Sequence, residues 1–217
     1  MKNKYLIINI FNFFVLFFVV IIATAEEFVF DIKEIEIKEN GNKYFGKNGG
    51  KATTPDGLYF RGENFIYDKK LNILFVEKNI KFFDEVNNYE IYSDKATYLK
   101  NEEKIFTEGN SKAINDDGVI ITADRLLYDQ TNNISEANGN AQIIDNKKDY
   151  SVNSKKINYN IEQDIITTFG DTEVVVESNY IFKSNDIIFY RNKMQLISNK
   201  YSTMKDTSEN TFYELKK

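Results

Sequence analysis

Apolar and polar residues follow two different patterns along the chain. From Tyr5 to Ile22 nearly every residue is apolar, and only Asn9 and Asn12 interrupt the run. Beyond it, apolar residues alternate with polar ones in short runs rich in Ile, Val, Phe, Tyr and Thr, which suit pleated strands. Clusters of Asn, Asp and Gly separate these runs, as tight turns require, and helical periodicity is absent. The pattern therefore predicts an all-β chain behind one apolar N-terminal segment.

The apolar segment has the layout of a secretory signal peptide. A short basic start, residues 1–4, precedes it, and Ala23 and Ala25 place small residues before a cut at Glu26. Its length also suits a retained inner-membrane anchor, and both interpretations stay open. In either case we expect the rest of the chain to be exported. The predicted division is a signal peptide or anchor at 1–25, a β-domain at 26–210, and a tail or truncated continuation at 211–217.

A repeat runs through the remainder of the chain. The aromatic residues Tyr67, Tyr98, Tyr128, Tyr159 and Phe189 recur every 30 or 31 residues. The residues two and seven positions before each of them are apolar, and the residue five positions before is small. Polar turns follow in most copies, as at 129–133 and 191–193, and further turns such as 145–149 separate the copies. This agreement predicts five repeated units of two strands each, joined by turns.

Strand parity predicts a bend inside each unit. Successive side chains of a strand point to opposite faces, so residues an odd number of positions apart face opposite ways. The small residue, five positions before the aromatic one, and the apolar residue two positions before it are three positions apart. The strand must therefore bulge or turn a corner there if all of these positions are to face inward. The glycines Gly109, Gly139 and Gly170, eleven positions after three of the aromatic residues, suit such a crowded backbone.

The inward positions are candidates for an apolar lining that contacts lipid. Alternation alone is equally compatible with the lining of a groove and with a core packed between two sheets. The candidate residues are Phe60, Phe65, Tyr67, Phe82, Ile91, Tyr98, Ile121, Leu126, Tyr128, Ile143, Val152, Ile157, Tyr159, Val174, Phe182 and Ile187.

Composition and motifs argue against several function classes. The net charge is -5, and acidic and basic residues are mixed, so no basic face is available for nucleic acid. The chain has no His and no Cys, which removes the usual general base, a thiol nucleophile and a disulfide framework. No nucleophile elbow or phosphate loop occurs, and Asp116 and Asp117 fit a hairpin turn better than a calcium site. We predict a protein without catalytic activity, cofactor or metal.

One copy of the repeat has a recognisable form. Residues 123–129 and 132–141 give an Ala-Asp opening, a Tyr-Asp, an Asn-rich turn and a Gly-Asn before the next strand. Ser93-Asp94 and Gly109-Asn110 fit the same pattern. This unit resembles that of the OstA-like lipopolysaccharide-transport family, which comprises LptA, LptC and the N-terminal domain of LptD. The resemblance covers roughly residues 56–205 and is greatest to the LptD domain.

The resemblance implies a twisted β-jellyroll that is open along one side. It further implies a periplasmic location, with outer-membrane association if the chain is the N-terminal part of the translocon. The expected ligand is lipopolysaccharide, through the acyl chains of lipid A. Related jellyroll proteins are expected as partners, because unpaired edge strands invite strand addition. A stand-alone bridge protein and a fragment of a larger one both stay open.

Two other function classes compete with lipid transport. A structural β-solenoid or scaffold of the cell envelope would share the period but have a fully packed interior. A carbohydrate-active β-helix enzyme is disfavoured, because carboxylates do not cluster at a fixed position from copy to copy.

Overall fold

The computed structural model describes residues 28–215, which form one antiparallel sheet of 17 strands. The all-β fold class is confirmed, and the predicted signal segment lies outside the described residues. Among residues 28–215 no helix is long and apolar enough to span a membrane. The strands are β1 (Val29–Lys38), β2 (Lys43–Thr53), β3 (Leu58–Gly62), β4 (Asn64–Asp68), β5 (Ile73–Asp84), β6 (Tyr89–Leu99), β7 (Lys104–Ile114), β8 (Ile120–Asp129), β9 (Ile134–Asp145), β10 (Tyr150–Asn160), β11 (Ile165–Phe169), β12 (Asp171–Val176), β13 (Tyr180–Asn185), β14 (Ile187–Tyr190), β15 (Gln195–Ser198), β16 (Ser202–Asp206) and β17 (Thr211–Leu215), with single 3₁₀ turns at Glu39–Gly41, Lys100–Glu102 and Arg191–Lys193.

The sheet is a meander in which each line of strands runs antiparallel to the line before it, and a line is either one long strand or two shorter collinear strands. Four of the strand lines are interrupted near the middle, so that β3 and β4 together lie between β2 and β5. β11 with β12, β13 with β14, and β15 with β16 form the other interrupted lines. In the described part of the chain, β1 pairs only with β2, and β17 pairs only with β16. Residues 211–215 thus belong to the same sheet as the strands before them.

The uninterrupted long strands have an irregularity at the same place. The β8–β9 pairing shifts register between Thr122 and Arg125, and the pairings on either side shift at equivalent points. The bend expected from strand parity is therefore confirmed, and it divides the sheet into two half-sheets. The first half-sheet contains residues 58–62, 80–84, 89–93, 111–114, 120–123, 141–145, 150–154 and 171–185, and the second contains residues 64–68, 73–77, 95–99, 104–108, 125–129, 134–138, 156–160, 165–169 and 187–190.

At two of the bends a side-chain amide is hydrogen-bonded to a carboxylate. Asn140 has a φ of 46° and donates its side-chain N–H to both oxygens of Asp124 at 3.1 Å. Asn110 donates to Asp94 at 2.8 Å in the same way one unit earlier. Gly139 has a φ of 76°, and a Cβ placed there would lie 2.3 Å from Oδ2 of Asp124. The Ala-Asp and Gly-Asn of the repeat are therefore the two sides of one corner.

The two half-sheets pack face to face around one apolar core. Tyr89 of the first half-sheet lies against Tyr128 of the second, with ring centroids 4.5 Å apart. Tyr150 and Phe189 make an edge-to-face contact across the interior at 4.9 Å. Phe28, which precedes β1, packs against further aromatic rings at the N-terminal end. Such aromatic contacts add to the burial of apolar surface that holds the half-sheets together.

Candidate functional site

The interior of the folded sheet contains the residues that the sequence nominated as an apolar lining. Fifteen of the sixteen belong to the buried core cluster, and Phe182 is partly buried against it. Their inward orientation is as expected, whereas their contact with lipid stays a prediction. Sequence reasoning missed others, among them Leu74, Ile105 and Ile166. Each stands seven positions after a repeat aromatic residue, so the same alignment of copies contained the signal.

The interior is occupied by these side chains. Phe60, Phe82, Ile143 and Val152 have no exposed surface, and every core residue is at most 7% exposed. Protein interiors of this kind are close-packed, so within residues 28–215 the two half-sheets contact each other through these side chains. An acyl chain can therefore lie inside only if the half-sheets separate. The side chains that now pack against the opposite half-sheet would then pack against the lipid.

Two large surface concavities are lined mainly by polar residues, and a smaller one of about 200 Å³ includes Phe75, Val76 and Phe106. One, of about 990 Å³, lies over the outer face and bend of the C-terminal strands and is lined mainly by polar residues such as Gln142, Asn153 and Lys183. A second, of about 900 Å³, includes Lys51 and Arg61. The polar side chains of these two linings oppose the binding of an alkyl chain, because they would lose their hydration without gaining partners.

The long side of the sheet opposite the bend, which we call the mouth, is where hairpin turns of the two half-sheets face each other. Asp84, at the end of β5, accepts hydrogen bonds at Oδ2 from Gln130 Nε2 at 3.0 Å and from Tyr128 OH at 3.3 Å. The Tyr89 hydroxyl and Ser135 Oγ lie 2.6 Å apart beside them. We call this group, which joins the half-sheets by side chains alone, the first latch.

A buried arginine closes the mouth further along the chain. Arg191 is 1% exposed, and its Nη2 donates to Asp145 Oδ2 at 2.7 Å. Its Nη1 donates to Asp164 and to the Tyr159 hydroxyl, and its Nε donates to the Tyr150 hydroxyl. Asp145 and Tyr150 belong to the first half-sheet, so the guanidinium bridges the two halves. We call these five residues the second latch.

The second latch holds Arg191 and Asp145 in their charged states. Burial by itself would raise the pKa of Asp145, but the Lys148 backbone N–H and Arg191 donate hydrogen bonds to it and hold its pKa below the usual carboxyl value. Burial opposes the charge on Arg191, yet the oxygens of Tyr150, Tyr159 and Asp145 outweigh it and raise the arginine pKa. The pair is therefore ionised throughout the neutral pH range.

The two latches are related by a double repeat. Asp84 and Asp145 are 61 residues apart, and Gln130 and Arg191 are separated by the same interval. In both latches the aspartate, Asp84 or Asp145, accepts a hydrogen bond at Oδ1 from a backbone N–H of its own turn. Its Oδ2 accepts a hydrogen bond from a side chain of the opposite half-sheet. The sequence reasoning assigned Gln130, Asp145 and Arg191 to turns only and did not single out Asp84. An alignment of every second copy of the repeat would have revealed them. It places Asp206 at the position of Asp84 and Asp145.

Together these features define an all-β protein made of one folded sheet around a closed apolar interior. No cluster of His, Cys, Asp or Glu within residues 28–215 could hold a metal ion.

No protein-family profile and no curated protein sequence matches the chain. Among solved structures it is similar to LptH of Pseudomonas aeruginosa, described as the LptA-homologous periplasmic component of the conserved lipopolysaccharide transport device. That likeness covers 62% of this chain and 98% of LptH, with 12% identity and a TM-score of 0.48.

Proposed function

We propose that this protein carries lipopolysaccharide through the periplasm, with lipid A acyl chains sheltered between the two half-sheets. The observation that carries the proposal is the continuous apolar interior, which runs through all five repeat units. Backbone joins the half-sheets along the bend, whereas the contacts between them at the mouth, within residues 28–215, are made by side chains. Such a body can open along one long side without breaking its strand pairing.

The size of the hydrophobic effect explains the need for shelter. Burying one methylene is worth about 0.8 kcal/mol, so exposing an alkyl chain of roughly ten carbons to water costs about 8 kcal/mol. An interior of aromatic and branched aliphatic side chains removes this cost without any chemical step, and the proposed role requires no catalytic group.

The repeat motif supports membership of the OstA-like family. The Asp and Asn residues that define the motif are those that hold the bend, as in Asp124 with Asn140 and Asp94 with Asn110. They specify a folded sheet in which continuous backbone closes the long side at the bend, while the long side at the mouth can open. We further propose that the free edges of β1 and β17 add strands of related jellyroll proteins, since their outer N–H and C=O groups have no partner strand among the described residues.

Site-specific photo-crosslinking tests the lipid-binding site. A photoreactive amino acid at Ile121, Leu126 or Ile143, all buried inside, is expected to capture lipopolysaccharide from detergent-free suspension. The same group at Thr122, on the outer face next to Ile121, is the matched control. Capture at Thr122 without capture at the three interior positions would contradict the proposal.

A structural scaffold of the cell envelope is the second candidate, and the close-packed interior is the observation that favours it. A scaffold would keep its half-sheets in contact at all times. The interior crosslinkers would then capture no lipid, and amide hydrogen exchange in β8 and β9 would stay equally slow with and without lipopolysaccharide.

A further inference from the structure

The mouth contacts differ in strength, and this difference bears on how a ligand is admitted if the proposed lipid-binding function is correct. Each half-sheet is continuous along its length, because successive turns are hydrogen-bonded to one another. Lys100 N donates to Asn72 O at 3.0 Å, and Gln130 N donates to Glu103 O at 3.0 Å in the next turn. Motion of one half-sheet against the other therefore concentrates at the bend and at the latches.

The second latch is built to stay closed. Arg191 and Asp145 are both ionised and almost fully buried, and the guanidinium has four partners drawn from both half-sheets. In the Arg191–Asp145 contact both donor and acceptor are ionised, so an ion pair adds to a charge-assisted hydrogen bond. Lys148 adds an ion pair with Asp164 at 3.4 Å on the outer rim of the same group. Separating this part of the mouth breaks all of these contacts together.

The first latch is weaker by composition and carries a defect. Its donors, Gln130 and Tyr128, are both neutral, and Asp84 is its one charged member. The amide oxygen Oε1 of Gln130 is buried and has no hydrogen-bond partner among the described residues. A buried acceptor without a partner costs free energy that opening would recover, because water then reaches it.

We propose that the mouth opens at the first latch while the second latch stays closed, so that Asp84 and Gln130 control the admission of acyl chains. The ligand class is the alkyl chains of a glycolipid, which would lie first among Tyr89, Tyr128 and the aromatic residues behind them. The second latch then acts as the fixed end about which the half-sheets separate.

Two reversible cross-links test this assignment in the full exported chain. The chain contains no cysteine, so paired substitutions introduce its only thiols. Asp84→Cys with Gln130→Cys locks the first latch, and Lys148→Cys with Asp164→Cys locks the rim of the second. A bismaleimide linker with a reducible disulfide is used for both, because side chains that meet end to end lie too far apart for a direct disulfide. The measured quantity is the rate at which fluorescent lipopolysaccharide is taken up.

We expect the lock at the first latch to lower the uptake rate at least tenfold and reduction of the linker to restore it. The lock at the second latch should change the rate less than twofold. Gln130→Ala, which leaves the Asp84 turn intact, should raise the rate, an effect that a merely structural role would not produce. Thermal unfolding of each cross-linked variant checks that the fold is retained.

Equal inhibition by both locks, or no inhibition by the first, would overturn the assignment while leaving the carrier function intact. Absence of uptake by the unmodified protein, with no interior photo-crosslinking, would instead remove the carrier function and this inference with it.

Discussion

Replacing Gly139 by alanine should destabilise the bend more than the same replacement at Gly41 does. Both glycines have positive φ, 76° and 87°, so an alanine meets a similar backbone cost of roughly 1–2 kcal/mol at either position. Only at Gly139 does the new Cβ collide with another part of the chain, since it would lie 2.3 Å from Asp124 Oδ2, whereas a Cβ at Gly41 would have no atom within 4 Å beyond its chain neighbours.

The collision has a calculable consequence. Asp124 must move, and its two hydrogen bonds with Asn140 are then lost. Hydrogen bonds to a charged group contribute about 1.5–3 kcal/mol, and the lower end applies here because Asp124 and Asn140 are exposed. We therefore expect Gly139→Ala to lose about 3 kcal/mol of unfolding free energy and Gly41→Ala about 1–2 kcal/mol.

Urea denaturation followed by far-UV circular dichroism measures both losses. The double variant Asp124→Ala with Gly139→Ala removes the collision and loses the hydrogen bonds only once, so its loss should be smaller than the sum of the single losses by about 1.5 kcal/mol. Equal losses at Gly139 and Gly41, or strictly additive losses in the double variant, would refute the account of the corner.

Three further predictions follow from the latches and the core. Asp145→Ala removes one of the two carboxylates paired with the buried Arg191 and should cost about 3 kcal/mol in urea denaturation, the low end for a broken buried pair because Asp164 stays; a loss below about 1 kcal/mol would show that the second latch is not holding the mouth. Because the folded-state pKa of Asp145 is depressed, its stabilisation is present above the unfolded pKa near 3.8 and disappears as the pH falls through the lower folded value. Unfolding free energy should therefore fall less steeply below about pH 4 in Asp145→Asn than in the parent, and parallel curves would contradict this. Leu126→Ala should cost about 2–5 kcal/mol and Leu127→Ala, its half-buried outward neighbour, less than about 1.5 kcal/mol, so equal costs would mean that the strand faces are assigned wrongly.

Most of the fold was predictable from the sequence because one constraint repeats five times. The small residue and the next apolar residue are three positions apart, so both can face inward only if the strand bends between them. The register shifts in β5 to β10 occur at this point. Parity also assigned residues such as Ile121 and Leu126 to the interior. Parity could not reveal whether the interior is filled, because that depends on how far apart the half-sheets lie.

The latches escaped prediction for a different physical reason. Asp145 and Arg191 meet across the mouth although 46 residues separate them in the chain. Both are polar residues next to turns, where a solvated side chain is the usual outcome. The two residues meet because the sheet folds on itself. The pair recurs only in every second copy of the repeat, so it is not seen when each copy is compared with the next.

The central claim is that acyl chains enter between the half-sheets, and single tryptophan reporters test it most directly. The chain has no Trp, so Phe82→Trp places the sole indole in the core, where Phe82 has no exposed surface. Phe83→Trp places it one residue away on the outer face of the same strand. With lipopolysaccharide that carries brominated acyl chains, a quencher that acts at contact, we expect strong quenching in Phe82→Trp and little in Phe83→Trp. Quenching confined to Phe83→Trp, or equal in both variants, would contradict the claim.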